Sequence, residues 1–185
     1  MRIRRLLLMA LWLALMILVS GCLSEEPLEQ PVSLEGDGFS VTYHRYMWTR
    51  AGSSADQAAD ETTYIWRDSD AFFSVVRIDA GAAVGQGLET PEDMERLLRA
   101  YVSNYGGRRE KIRVGDSDSE YIRWLEFEYD DFERNAKYKY IAKLVMDKET
   151  GGVMAVIAAY QKNSARFLKN EIEMIMDSAL MVERA

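Results

Sequence analysis

The residue whose type and position most clearly suggest chemistry is the single cysteine of this 185-residue chain, Cys22. A thiolate is a strong nucleophile, and Cys22 follows two small residues, Ser20 and Gly21, that leave the backbone accessible to a processing enzyme. Before them, residues 6–19 form an uninterrupted apolar run that begins after Arg2, Arg4 and Arg5. That run is short for a membrane span, and with its basic start it is typical of a cleaved export signal.

The string Val19-Ser20-Gly21-Cys22 resembles the lipobox of bacterial lipoproteins. In that family a diacylglyceryl group is attached to the thiol, and a signal peptidase cleaves between the residues that correspond to Gly21 and Cys22. The resemblance implies that residues 1–21 are a signal peptide and that Cys22 carries a lipid anchor. The protein would then lie outside the cytoplasm in the bacterial envelope, and Leu23 would favour the outer membrane, facing the periplasm, in a bacterium with two membranes.

Catalytic chemistry has few candidates in the rest of the chain. His44 is the only histidine, and although Ser40, Thr42 and Ser53 are near it in sequence, no nucleophile elbow of the form G-x-S-x-G is present. A histidine within a strand-like stretch favours a structural role. One cysteine and one histidine also exclude the multi-cysteine and multi-histidine metal sites. We therefore predict no catalytic residue, no metal site and no cofactor.

Acidic residues alternate at two places, Asp68 with Asp70, and Asp116 with Asp118 and Glu120. Carboxylate oxygens suit a hard cation, but calcium needs six or more of them and the spacing is not that of an EF-hand. Polar turns explain both runs better. An envelope enzyme or a divalent-cation-dependent binding protein that uses Asp116, Asp118, Glu120 or His44 remains the alternative.

A set of aromatic residues in the first half of the domain is the candidate surface for a protein partner. Tyrosine and tryptophan dominate the energetics of protein interfaces, although packing in the core is the competing explanation. The set consists of Tyr43, Tyr46, Trp48, Tyr64 and Trp66.

The charge of the chain excludes nucleic acid as a main partner, because its formal net charge is −7 and its pI is about 4.9. Cleavage after Gly21 would remove three arginines and leave a mature charge of −10. Residues 22–37 read as an acidic, proline-containing tether, and residues 38–185 as one domain. Repulsion from anionic lipid predicts that this domain stands away from the bilayer.

Periodicity predicts the elements of that domain. Strands are expected near residues 39–46, 62–67 and 71–79, a mobile glycine-rich loop at 80–87, and a helix from Pro91 to Tyr105. After this helix we expect four strands and a second helix. The strands lie near 110–115, 120–130, 135–146 and 153–160, and the helix spans 164–182. With a hairpin loop at 131–134, Glu128 would lie opposite Lys137 and Glu126 opposite Lys139. The expected fold is α+β, with two amphipathic helices on an antiparallel sheet of six to seven strands.

This layout, from about residue 39 to 181, resembles the PsbP-like family, which includes the bacterial DcrB lipoproteins. The points of likeness are Gly38-Phe39-Ser40-Val41, the helix start Thr90-Pro91-Glu92-Asp93 and the terminal Ile175-Met176-Asp177-Ser178-Ala179-Leu180. The segment His44-Arg45-Tyr46-Met47-Trp48 departs from the family pattern. The resemblance implies a non-enzymatic accessory or binding domain. Together with the predicted anchor and the lack of a catalytic constellation, it leads us to expect an envelope protein or a small ligand as the partner.

Overall fold

The computed structural model of the chain describes residues 30–36, 39–56, 59–66 and 71–182. The predicted signal peptide, Gly21, Cys22 and most of the predicted tether lie outside these residues, as do Asp68 and Asp70. Residues 32–36, the last part of the predicted tether, form a strand. Within the described residues, no helix has the length and apolar character needed to cross a membrane.

The strands form two antiparallel sheets. The larger sheet has the order β3 (Trp48–Asp56), β4 (Ala59–Trp66), β5 (Phe72–Ile78), β9 (Val153–Gln161), β8 (Ala136–Asp147), β7 (Glu120–Asp131) and β6 (Arg108–Val114). The smaller sheet contains β1 (Val32–Gly36), β2 (Phe39–Tyr43) and β10 (Leu180–Met181), with β2 in the middle. The helices are α1 (Ala80–Gly85), α2 (Pro91–Asn104) and α3 (Arg166–Ser178), and a short 3-10 helix spans Arg45–Met47. The α+β class and the antiparallel seven-stranded sheet are as predicted.

Helices α2 and α3 cover opposite faces of the larger sheet. Leu98 and Met94 of α2 pack against Leu125, Phe127 and other residues on one face. On the other face, α3 places Ile172 and Ile175 among residues of β5, β8 and β9. Strand β9 is buried on both faces, as its continuous apolar sequence predicts. Burial of these two apolar layers on either side of one sheet is the main stabilisation of the domain.

Helix α2 begins and ends where its sequence predicts. The Thr90 hydroxyl accepts a hydrogen bond from the Asp93 amide at 3.2 Å, and the Asp93 carboxylate accepts one from the Thr90 amide at 3.0 Å. This reciprocal capping box satisfies amides that the first turn leaves without partners. At the other end, Gly106 adopts a φ of 60°, a conformation that glycine takes at little cost.

Helix α3 is shorter than predicted, because it stops at Ser178 and the chain continues as β10, which pairs with Ser40 and Phe39. Lys143 of β8 caps this end of the helix. Its Nζ donates to the carbonyls of Met176 and Ala179 at 3.1 and 2.5 Å. Burial lowers the pKa of Lys143 below its usual value.

Three local predictions are corrected by the structure. The strand predicted over 39–46 ends at Tyr43 and belongs to the smaller sheet, whereas β3 was not predicted. The sequence of β3, WTRAGSSAD, has little β-branched or aromatic character, so its strand conformation depends on pairing with β4. The predicted mobile loop at 80–87 contains α1, which is rich in alanine and buries Ala83.

The predicted register of the β7–β8 hairpin is wrong by two residues. The turn occupies residues 132–135, with Asn135 at a φ of 49°, so Glu128 lies opposite Lys139 and Asp130 opposite Lys137. A shift of two keeps every side chain on its face of the sheet, because side chains alternate with a period of two. Charge alternation alone therefore could not distinguish these registers.

Candidate functional site

A groove of about 460 Å³ lies beside α3, on the face of the larger sheet that α3 covers. Helix α3 packs over residues of β8 and β9, and residues of β6 and β7 form the opposite wall. We call this the α3 groove. Its lining residues are Arg109, Lys111, Glu126, Phe127, Glu128, Lys139, Tyr160, Lys162, Lys169 and Glu173.

Strand alternation explains why this groove is polar although the sheet is well buried. Leu125 and Phe127 point to the α2 face and are buried there. Their neighbours Glu126 and Glu128 point to the opposite face, where Lys139 of β8 also lies. Since none of the helices among the described residues covers this part of the sheet, the charged side chains remain in contact with solvent.

Two carboxylates in the groove are each held between two cations. Glu126 lies 2.9 Å from Arg113 Nη2 and 2.9 Å from Lys139 Nζ. Glu128 lies 3.3 Å from Arg109 Nη1 and 2.8 Å from Lys162 Nζ. Both carboxylates are therefore already neutralised by protein groups.

These contacts keep the two carboxylates ionised. Burial opposes ionisation of Glu126, but the hydrogen bond from Lys139 and the charges around it outweigh burial and lower its pKa. The hydrogen bond and charge of Lys162 lower the pKa of Glu128. Burial raises the pKa of Tyr160, whose ring forms part of the floor, so its hydroxyl stays protonated.

Cations outnumber acids in the α3 groove by five to three. Lys111 on β6 and Lys169 on α3 form no ion pair within 4.0 Å with a carboxylate of the described residues. The groove therefore presents two ammonium groups, from two different walls, to a ligand. In a chain of net charge −7 this local excess of positive charge is suited to an anion.

His44 is buried and forms a network with Glu171 of α3. Its Nδ1 lies 2.5 Å from Glu171 Oε2, and its backbone amide donates to Glu171 Oε1 at 2.8 Å. Trp48 Nε1 donates to the same Oε1 at 3.1 Å. These contacts tie the end of β2 and the start of β3 to α3.

The predicted acidic cluster at residues 116–120 is built around an arginine. Asp116 forms an ion pair with Arg123 and accepts a hydrogen bond from the Ile122 amide, and the pKa of Asp116 is lowered, chiefly by the Arg123 hydrogen bond. Asp118 is exposed and Glu120 begins β7. Across the part of the chain that the structure describes, no group of three histidine, cysteine or acidic residues is arranged to hold a metal ion.

Most of the aromatic residues predicted as a partner surface are core residues. Tyr43, Trp48 and Tyr64 are buried around Phe73, with Trp48 and Tyr64 at ring distances of 4.8 and 4.7 Å. These three rings cannot form a surface patch, because the smaller sheet and α3 cover this face. Tyr46 is half-buried beside His44, and the Trp66 side chain lies outside the described residues.

The α3 groove itself was not predicted. The sequence indicates that Glu126 and Glu128 face lysines across a hairpin, but the groove also needs Lys169 of α3 and Lys111 of β6. These residues are far apart in sequence, and only the position of α3 on the sheet brings them together. The polar face of α3, which carries Lys169 and Glu173, is a second signal that the sequence contains.

Comparison with known proteins finds similarity of fold to solved structures. No family model matches the chain, and no curated protein matches it. Among solved structures, the chain is similar to LpqN of Mycobacterium tuberculosis, which is described as involved in cell envelope biogenesis. The two share 12% sequence identity at a TM-score of 0.47, over 83% of this chain and 91% of that one. At this sequence identity and TM-score, the similarity supports no inference about function, so the function has to be inferred from the residues of the groove.

Proposed function

We infer that the protein is a lipid-anchored, extracytoplasmic binding protein of the bacterial envelope, without enzymatic activity, whose α3 groove holds a small, multiply charged anion. The observation that supports anion binding is the excess of cations in the groove, where Lys111 and Lys169 form no ion pair with the described carboxylates. A pocket of about 460 Å³ is within the size range of small-molecule sites.

The mixed charge of the groove indicates the kind of anion. The ammonium groups of Lys111 and Lys169 would bind phosphate or carboxylate oxygens from opposite walls. Glu173 would accept hydrogen bonds from hydroxyl groups, as would Glu126 and Glu128 through the remaining lone pairs of their paired oxygens. A phosphorylated sugar supplies both kinds of group, and we propose this chemical class as the ligand.

Calorimetric titration with glucose 6-phosphate tests the ligand class, with glucose as the neutral control. We expect binding of the phosphorylated sugar only, with an affinity that falls as salt is added. Lys111→Gln and Lys169→Gln should each weaken binding by about tenfold, because each removes one charge-assisted hydrogen bond. Arg50→Gln is the matched control, since Arg50 is exposed on β3 at the far edge of the sheet. Equal affinity of the parent and both lysine variants would contradict the site.

The anchor is tested separately through Cys22. Substitution Cys22→Ser should abolish acylation and leave a precursor that still contains residues 1–21. The measurements are incorporation of a labelled fatty acid and the mass of the purified chain. Normal cleavage between Gly21 and the substituted residue would disprove the anchor without affecting the test of the groove.

A further inference from the structure

The hairpin between β7 and β8 ends in a loop, residues 132–135, that presents a large apolar ring to solvent. Phe132 is 87% exposed. A phenylalanine in a hairpin turn gains nothing from water, and tight turns favour small or polar residues. The ring is therefore a candidate contact with a surface outside the chain.

Cations project further than acids around this hairpin tip. The side chains of Arg108, Arg109, Arg134 and Lys162 are between 46% and 74% exposed. The acids that pair with them, Glu128, Asp130 and Asp131, are only between 24% and 28% exposed. The exposed Glu133 in the loop is an exception to this arrangement. Apart from Glu133, the paired charges at the tip present their cations to an approaching surface before their acids.

A second depression adjoins the tip, and none of the described residues that line it is acidic. It measures about 500 Å³ and lies between the β7–β8 turn and the connection from β9 to α3. Arg134, Lys137 and Lys162 line it together with Asn135, Gln161 and Asn163. Amide and cationic donors without a carboxylate suit a phosphate group.

The chain enters the fold toward the end of the sheet from which this hairpin projects. Val32, the first residue of β1, pairs with Tyr43, and the next residue of the chain, His44, is bonded to Glu171 in the first half of α3. Helix α3 itself begins just after β9, whose end pairs with Tyr138 near the hairpin.

The proposed anchor at Cys22 would keep this end of the sheet close to the membrane. The eight peptide units from residue 22 to residue 30 span at most about 29 Å when fully extended. The distance between the sheet and the membrane depends on the proposed anchor. The exposure of Phe132 and of the cations at the tip is independent of that anchor.

We propose that the β7–β8 hairpin tip docks on the membrane surface, with the Phe132 ring in the lipid interface and the adjoining depression on the phosphate headgroups of anionic lipids. The net negative charge of the chain predicts a domain that stands away from the bilayer, but charge is distributed unevenly over the surface. Lipid phosphates meet the exposed cations of the tip before the recessed acids, with Glu133 as the exception, and phenylalanine is one of the side chains that bury at the boundary between headgroups and acyl chains.

The test measures the depth of a spin label at the tip in the lipid-anchored protein. The chain has one cysteine, so acylation of Cys22 leaves Phe132→Cys as the only free thiol for labelling. The matched control is Val114→Cys, because Val114 is 61% exposed at the opposite end of β6. The protein is reconstituted in vesicles of phosphatidylcholine, with or without an equal part of phosphatidylglycerol, and the collisions of each label with oxygen and with a water-soluble nickel chelate are compared.

In vesicles that contain phosphatidylglycerol, we expect the label at 132 to collide preferentially with oxygen and the label at 114 with the nickel chelate. Pure phosphatidylcholine should weaken the protection at 132. Arg134→Gln should lower the ratio of docked to undocked protein about fivefold, whereas Lys148→Gln should leave it unchanged, because Lys148 is exposed in the β8–β9 turn at the opposite end of the sheet. Far-UV circular dichroism confirms that each variant is folded.

Three results would overturn the docking proposal. The first is equal access of the nickel chelate to both labels. The second is protection of the label at 132 from the chelate to the same extent with and without phosphatidylglycerol. The third is protection of that label that increases with protein density, which would indicate contact between copies of the protein. Labelling of the parent chain at Cys22 would instead disprove the anchor. The same depth measurement in a Cys22→Ser background would then test the hairpin alone.

Discussion

A single carboxylate, that of Glu171, joins three separate parts of the fold. It lies within α3, is almost completely buried, and accepts hydrogen bonds from the His44 amide, the His44 ring and the Trp48 indole. Burial of an acid without partners would cost several kcal/mol, and these three donors offset that cost. The contacts also fix the direction in which the chain leaves β2 and enters β3.

Replacement of Glu171 by alanine should therefore lower the free energy of unfolding by about 3 kcal/mol, because it leaves the buried donors of His44 and Trp48 without an acceptor. Glu171→Gln keeps one carbonyl oxygen and should cost less. Urea denaturation followed by circular dichroism measures both. Glu173→Ala, two residues away on the exposed side of α3, is the control and should change stability by no more than about 0.5 kcal/mol. Equal losses for alanine at 171 and at 173 would contradict the role of the network.

At the scale of elements, prediction from sequence succeeds where local signals agree. The start of α2 has a threonine cap, a proline and two acids, and the structure forms the capping box there. Strand β3 has no such signal, and pairing with β4 determines its conformation. The α3 groove could not be predicted for a similar reason, because it depends on where α3 lies on the sheet.

The capping box of α2 should make part of the stability dependent on pH. Hydrogen bonds from the Thr90 hydroxyl and from the amides of Glu89 and Thr90 lower the pKa of Asp93 below its ordinary 3.8. A carboxyl whose pKa is lower in the folded state stabilises the fold above the unfolded pKa, and this contribution is lost as the pH falls through the folded value. The free energy of unfolding should therefore decrease as the pH falls below about 3.8.

Asp93→Asn should flatten this decrease, because an amide does not titrate but can still accept the hydrogen bonds. Thr90→Val should also reduce it, since the hydroxyl makes the largest contribution to the shift. Melting temperatures between about pH 2 and pH 6 measure the profile, in a range that includes the ordinary pKa of aspartate. A profile of Asp93→Asn as steep as that of the parent would show that other carboxyl groups determine the acid sensitivity.

At the scale of the whole molecule, one sheet separates two apolar layers. Leu98 of α2 lies in the layer on one face and Ile172 of α3 in the layer on the other, and both are fully buried. The layers share strands β8 and β9, whose alternate residues point into each of them. Loss of either layer exposes one face of the same central strands, so we expect the two layers to unfold together.

Leu98→Ala tests this cooperativity, because the tryptophan rings of Trp48 and Trp124 lie on the opposite face of the sheet. Leu98→Ala should lower the free energy of unfolding by about 3 kcal/mol, as should Ile172→Ala, and the two losses should add within about 0.5 kcal/mol. Urea denaturation followed by circular dichroism and by tryptophan fluorescence should give coincident midpoints for each variant. Val84→Ala, at an exposed position of α1, should leave both midpoints unchanged. If Leu98→Ala shifted the circular dichroism midpoint but not the fluorescence midpoint, the two faces would unfold independently, and the shared strands would not couple them.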